Sequence, residues 1–405
     1  MRVFSRWTHP TGPHLRGPVG VLLGAVFAFV AVLAQASPHV PASDATVLER
    51  VPAAAATRQL DPLRAQVSSH PGDLQSALAL ARGYLQIGRD EADPRFVSYA
   101  EATLSPWLAR AHPNPEVLTL AATALQYLHR FDDALKLLDR ALALQWFNGQ
   151  AWLTKATILQ VQGRFPEARA ACRPLIQING QLVAITCLTS VNSLTGNLAG
   201  SYAALRTAFF DDSRLDPAIR VWILNELADM AQRAGDAAAA EKYLVEALQI
   251  QPRNGFTKAA YADLLLQEQR PAQVMQLLQG DEQQDNLLLR LAIAAVDTHA
   301  SSASRLSDMF QARYEAARRD GDFTHLREQA MFLLEVRGEP SAAAALAVRN
   351  WQVQREPADL HILVAAASAA GDEQAKRTAA DWMRQMHYED RRLENTPLAN
   401  RTAAR

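Results

Sequence analysis

Apolar residues recur along most of this chain at spacings of three and four, in paired segments separated by short turns. That is the period of amphipathic helices folded into hairpins. "RFDDALKLLDRAL" (Arg130 to Leu142) is followed by "RFPEARAACRPLI" (Arg164 to Ile176), which sets Phe131 and Phe165 34 residues apart and repeats Ala134 as Ala168. Glycines mark many of the turns, at Gly88, Gly163, Gly196, Gly235, Gly338 and Gly371, with 33 residues from 163 to 196, 39 from 196 to 235 and 33 from 338 to 371. The 103 residues from Gly235 to Gly338 hold about three periods, with intermediate turns near Gln269 and Ala300 that lack glycine. A hairpin of this length cannot bury its apolar stripe alone. The units must stack, with Ala where helices cross closely and Leu or Phe filling space against the next unit.

The pattern predicts an all-α fold, an α-solenoid of about eight stacked hairpins over residues 60–390. In "RVWILNELADMAQRAGDAAAAEKYLVEALQIQP" the residues Leu224, Leu227, Ala228, Gly235, Ala240, Leu244, Ala247, Leu248 and Pro252 resemble the tetratricopeptide repeat across a whole unit. Leu118, Ala121, Ala122, Leu125, Phe131, Ala134, Leu138, Ala141 and Leu142 resemble it in one other unit, and Trp152, Ala156, Leu159, Gly163, Phe165 and Ala168 in the next. The resemblance implies a superhelix whose first helices line a concave binding face, and a role as an interaction scaffold in the bacterial cell envelope. The alternative it leaves open is an accessory specificity subunit of a membrane transporter or envelope enzyme, such as a polysaccharide-export or secretion machinery. Either way the implied partner is a peptide, a protein or a polymer.

Departures from the period are visible too. Gly88 to Ala100 spans 12 positions where other units use five, around the acidic insertion "DEADPRF", and Pro106 should kink the helix that follows. A further excess surrounds "FFDDSRLDPAIR", and the unit from Leu289 is degenerate.

Arg2, Arg6 and Arg16 precede the uncharged run "PVGVLLGAVFAFVAVLAQAS", which ends near the triplet Ala34, Gln35, Ala36. Residues 1–36 therefore read as a secretory signal cleaved after Ala36, or else as a short uncleaved anchor facing the periplasm. Both send the body across the membrane. Residues 37–59 are a Pro- and Ala-rich lead-in, and 391–405 a polar C-terminal tail. Without its leader the chain holds 38 basic and 42 acidic residues, a net charge of −4. An acidic average of this kind argues against nucleic acid and anionic lipid as partners.

No nucleotide-binding, metalloprotease or nucleophile-elbow motif occurs, and the ten His are scattered, so the expectation is a non-enzymatic protein with no metal and no cofactor. Asp132 with Asp133, and Asp211 with Asp212, flank turns where carboxylates favour a helix start. Trp107, Trp152 and Trp351 read as core packing. Cys172 and Cys187 fall on a second helix and the following first helix, which pack directly; they are either a disulfide or two small buried thiols.

The candidate binding face is the stripe at i, i+3, i+7 and i+10 along each first helix. It reads Glu116, Thr119, Thr123, Gln126; Gln150, Leu153, Thr157, Gln160; Val183, Thr186, Ser190, Ser193; and Trp222, Asn225, Asp229, Gln232. Cations that would clamp a C-terminal carboxylate are missing. The hydroxyls and amides suit an extended backbone or a sugar chain, with Trp222 as a stacking platform. The same polarity also suits a merely solvated helix face.

Overall fold

The computed structural model describes residues 55–90, 94–209, 215–319 and 325–394. The leader, most of the lead-in, residues 91–93 of the acidic insertion, residues 210–214 and 320–324, and the end of the tail lie outside these. The described residues build nine helical hairpins: Leu74–Asp90 with Pro94–Leu108, Pro115–Tyr127 with Phe131–Leu144, Gly149–Val161 with Phe165–Cys172, Gln181–Ser193 with Leu198–Ala208, and Pro217–Arg233 with Ala237–Ile250, then four more. These are Gly255–Gln267 with Pro271–Leu277, Asp285–Asp297 with Ala303–Arg319, Leu326–Met331 with Pro340–Val353, and Pro357–Ala370 with Glu373–Met386. We number these units one to nine. The first helix of unit eight continues as a π-helical turn over Phe332–Val336.

The repeated words are repeated contacts. Phe131 and Phe165 each open a second helix and are buried, and Ala134 and Ala168 are fully buried one turn on. Side chains in the turns between and within units cap the helices. Asn114 accepts from Glu116 N, Asn148 from Ala151 N, Asp236 from Ala239 N and Asn254 from Thr257 N. Asp132 and Asp133 lie in the first turn of their helix rather than at its cap, where Asp133 pairs with Lys136 and Arg130. Cys172 and Cys187 are joined as a disulfide between units three and four, with Cα atoms 5.6 Å apart. A loop of this length contributes about 3 kcal/mol in the chain-entropy account.

Three details differ from the sequence reading. Gly88 is not at a turn; the first helix runs on to Asp90 with Gly88 buried inside it, so part of the apparent insertion is helix. Helical structure is already present at Ala55–Arg58, within the expected lead-in, and Thr57 is buried. The tail starts as a docked helix, Arg391–Glu394, because Leu393 is apolar and buried and Arg392 pairs with Asp390.

The turns inside the hairpins need one residue at positive φ. Glycine supplies it at 163, 196, 235, 338 and 371, but His129, Gln269 and His299 adopt it with side chains, at 54°, 56° and 51°. Gln269 is exposed. Gln269→Gly is therefore expected to raise unfolding free energy by about 0.5–1 kcal/mol, measured by urea titration. A neutral or lower value would show that the turn carries no such strain.

The later units fold back onto the earlier ones. Gln354 Nε2 lies 3.2 Å from His129 Nδ1, and Arg355 N donates to Val161 O at 2.7 Å. Trp382 packs on Phe165, and Arg392 donates to Gln232 Oε1 at 3.0 Å. His387 sits so close over Gly196 that a Cβ there would meet its own Cβ at 2.8 Å. Residues 354–392 thus cover the inner turns of units two to five in chain order. One continuous core joins units two to four with units six to nine.

Candidate functional site

The first helices do form a wall, but most of the expected binding stripe is sealed into it. Thr119, Thr123, Thr186 and Ser190 are buried, Thr186 completely. The hydroxyls of Thr119, Thr123 and Thr186 donate to carbonyls four residues back, Pro115 O, Thr119 O and Leu182 O, at 2.8–3.0 Å. Neighbouring first helices approach closely, and the stripe falls in the seam between them. There it forms cross-links: Asn148 Nδ2 donates to Thr119 at 2.9 Å, Gln160 Nε2 to Ser190 at 3.1 Å, and Asn225 Nδ2 to Thr257 at 3.0 Å. The expectation that these four hydroxyls offer hydrogen bonds to a ligand is therefore corrected. Thr119 and Ser190 link neighbouring units, and Thr123 and Thr186 are closed onto their own helices, because small side chains are what a close helix crossing admits.

The remaining stripe residues are more open. Gln126, Thr157 and Gln160 are half-buried, Thr157 donating to Leu153 O at 3.0 Å, and Gln150 is exposed with its amide on Thr154. In unit five Trp222, Asn225 and Asp229 are all half-buried on the Pro217–Arg233 helix.

Two residues that the stripe omits complete this part of the wall. Glu226 lies one turn after Trp222 and accepts from its indole Nε1 at 3.1 Å. Burial pushes the Glu226 carboxyl up to about 7, and the nearby Asp229 adds to this, while hydrogen bonds from Ser190 and Trp222 act against it. Arg233 is 1% exposed. It donates to Asp229 Oδ2 at 2.7 Å and, across the seam, to Ser193 O at 2.8 Å and Ser193 Oγ at 2.7 Å. Its guanidinium lies 5.8 Å from the Tyr388 ring of the folded-back segment. Spacing of i+4 from Trp222, in "WILNE", is the signal that could have added Glu226 to the face. Nothing local announces that Arg233 is buried.

The arrangement places an indole face beside one carboxylate and one carboxyl that titrates near neutrality. Such a group takes a cation when ionised and donates a hydrogen bond to a carbonyl when protonated. Among the described residues no three His, Cys, Asp or Glu side chains are grouped to hold a metal.

A family model described as tetratricopeptide repeat matches residues 220–251. No curated protein matches the chain. Among solved structures it is similar to the Cut9-Hcn1 hetero-tetramer of the APC/C, with a TM-score of 0.41 and 12% identity over 77% of this chain and 52% of that one, so it spans about half that chain's length. It is similar to the human IFIT1 dimer with m7Gppp-AAAA, at 0.39 and 14% over 86% and 87% of the two chains. A tetratricopeptide repeat protein from Parabacteroides merdae gives 0.34 and 14% over 71% and 99%. A tetratricopeptide repeat is thus present at residues 220–251, in unit five of the stacked hairpins.

Proposed function

We propose that this chain is a non-enzymatic interaction scaffold of the bacterial cell envelope. It is exported by its leader into the periplasm and holds a segment of a protein partner against the first-helix wall at Trp222, Glu226 and Asp229. The observation that carries the reading is the contrast along the wall. Hydroxyls of units two and four are closed into the seam, whereas unit five keeps an indole and two carboxyl groups half-open. A lysine or arginine of the partner would stack on Trp222 and pair with Asp229, with Glu226 as donor or acceptor for its backbone. Solenoids of this class are protein-binding folds, which supports the general role; the envelope setting rests on the leader.

A photo-crosslinking residue in place of Trp222, in intact cells, is expected to capture a protein, and Glu226→Gln with Asp229→Asn to remove the adduct. Adducts unchanged by those substitutions, or equal to those from exposed Ala170 on a second helix, would sink the proposal. Glu226→Gln should not unfold the protein. A carboxyl raised above its ordinary 4.5 makes the folded state lose stability as pH rises from there through about 7. The amide removes that loss, so the variant is expected to be at least as stable as the parent at neutral pH and above.

A further inference from the structure

The acidic average of the chain conceals a strong local imbalance. From Arg140 to Phe209 there are six basic residues, Arg140, Lys155, Arg164, Arg169, Arg173 and Arg206, and a single acid, Glu167, a local net charge of +5 in a chain of −1. The same stretch holds large apolar side chains out in water: Leu144 is 63% exposed, Trp146 53%, Phe147 60% and Ile176 53%. All four lie where the second helix of one unit hands over to the next unit. The two junctions are neighbours, since Gly149 is in contact with the Asn179 side chain. Trp152 Nε1 donates to Trp146 O at 2.6 Å and pins the loop.

The cations sort by position. Lys155 is held by Asp139 and Arg164 by Glu167, and Arg169 donates to Asn192 and Thr195. Arg140 and Arg173, by contrast, are exposed and have no ionic partner among the described residues. They stand four and three residues before Leu144 and Ile176, one helical turn away on the same face. In the later units the corresponding junction is occupied: Arg355 is docked on an earlier turn.

We infer that this edge of units two and three is a peripheral contact for an anionic lipid surface. Aromatic and aliphatic side chains at a rigid edge enter the interfacial layer, and guanidinium groups one turn behind them meet phosphate oxygens. A protein interface would bury the apolar tips but would have to find carboxylates for both arginines, whereas an anionic bilayer satisfies both at once. Among the described residues no helix is long and apolar enough to cross a membrane.

The test uses the full exported chain in co-sedimentation with vesicles of phosphatidylglycerol and phosphatidylethanolamine, and with vesicles of phosphatidylcholine alone. The expected preference for the anionic vesicles is about tenfold or more at low salt and is lost at high salt. Trp146→Ser with Phe147→Ser should abolish vesicle binding by the edge, and Arg140→Gln with Arg173→Gln should abolish the preference. All four side chains are exposed, so thermal melting is expected to stay unchanged, and two independent pairs guard against misfolding of one. Any binding through residues 1–36, whose Arg2, Arg6 and Arg16 also attract anionic lipid, is common to all variants, so the edge is read as the difference between parent and variant. Equal binding to both vesicle types by the parent, or an anionic preference that neither pair reduces, overturns the inference. So does vesicle binding that is absent from the parent while the same substitutions abolish self-association or capture of a protein, which would give the edge to protein instead.

Discussion

Arg233→Met is expected to lower unfolding free energy by about 3–5 kcal/mol, the range for removing one partner from a buried ionic and hydrogen-bonded group. Met nearly fills the volume, so the loss comes from chemistry rather than from a cavity. Ser193 O is left buried without its donor, and Tyr388 loses the cation against its ring. Asp229 is 37% exposed and can rehydrate, which keeps the loss from growing further. Arg233→Lys should recover less than half, because one ammonium cannot span Ser193 and Asp229 as the guanidinium fork does. Urea titration gives the magnitude, and limited proteolysis between Tyr388 and Glu394 reports whether the folded-back segment loosens. A Met variant within about 1 kcal/mol of the parent would show that the cross-seam contacts are incidental.

A second large effect is expected at Arg327. Its guanidinium meets Glu328 and Glu356 at 3.1 Å and Asp359 at 3.3 Å. Asp359 is fully buried and also accepts from Asn350 at 2.8 Å. Burial alone would raise Glu328, but Arg327, with His325 and Arg290 behind it, outweighs burial and holds that carboxyl at about 2. Burial raises Glu356 and Asp359 despite the same cation, and each repels the other's charge or that of Glu328. Arg327→Met leaves three crowded carboxylates, and the expected loss near neutral pH is about 3 kcal/mol, at the low end because the arginine is 25% exposed.

The sign of its pH dependence is distinctive. In the parent, the depressed Glu328 contributes stability that is present above 4.5 and lost as pH falls towards about 2. In the variant all three folded-state carboxyl groups move upward, so the folded state takes up protons more readily than it did. The deficit relative to the parent should therefore shrink on acidification towards 4.5. A deficit that stays constant or widens over that range would mean that Arg327 acts through packing alone.

The hairpins were legible because burying a stripe on every unit forces the same spacing on every unit, and Phe131, Phe165, Ala134 and Ala168 carry it openly. The wall was less so. Thr186 and Ser190 have the polarity of a ligand-facing surface, yet a close helix crossing selects the same small hydroxyls, and one sequence cannot separate the two demands. The Glu226 carboxyl was missed because a stripe one residue wide excludes its neighbour at i+4. The fold-back of the last units left no trace at all. Arg355, His387 and Arg391 are polar residues at junctions, where the repeat imposes no type, and their partners are the backbone and glycines of turns far away in sequence.

That fold-back changes how such an array should come apart. An open solenoid behaves as a row of coupled units that can fray from either end, since the terminal unit is held by one neighbour only. Here Gln354 reaches a residue 225 positions earlier, and Arg392 one 160 positions earlier. The last unit cannot peel away without uncovering turns near the start, so the row is closed into a loop of dependencies. Its melting becomes a single cooperative event, and completion of the fold waits until the C-terminal segment has been made and has docked on the earlier turns.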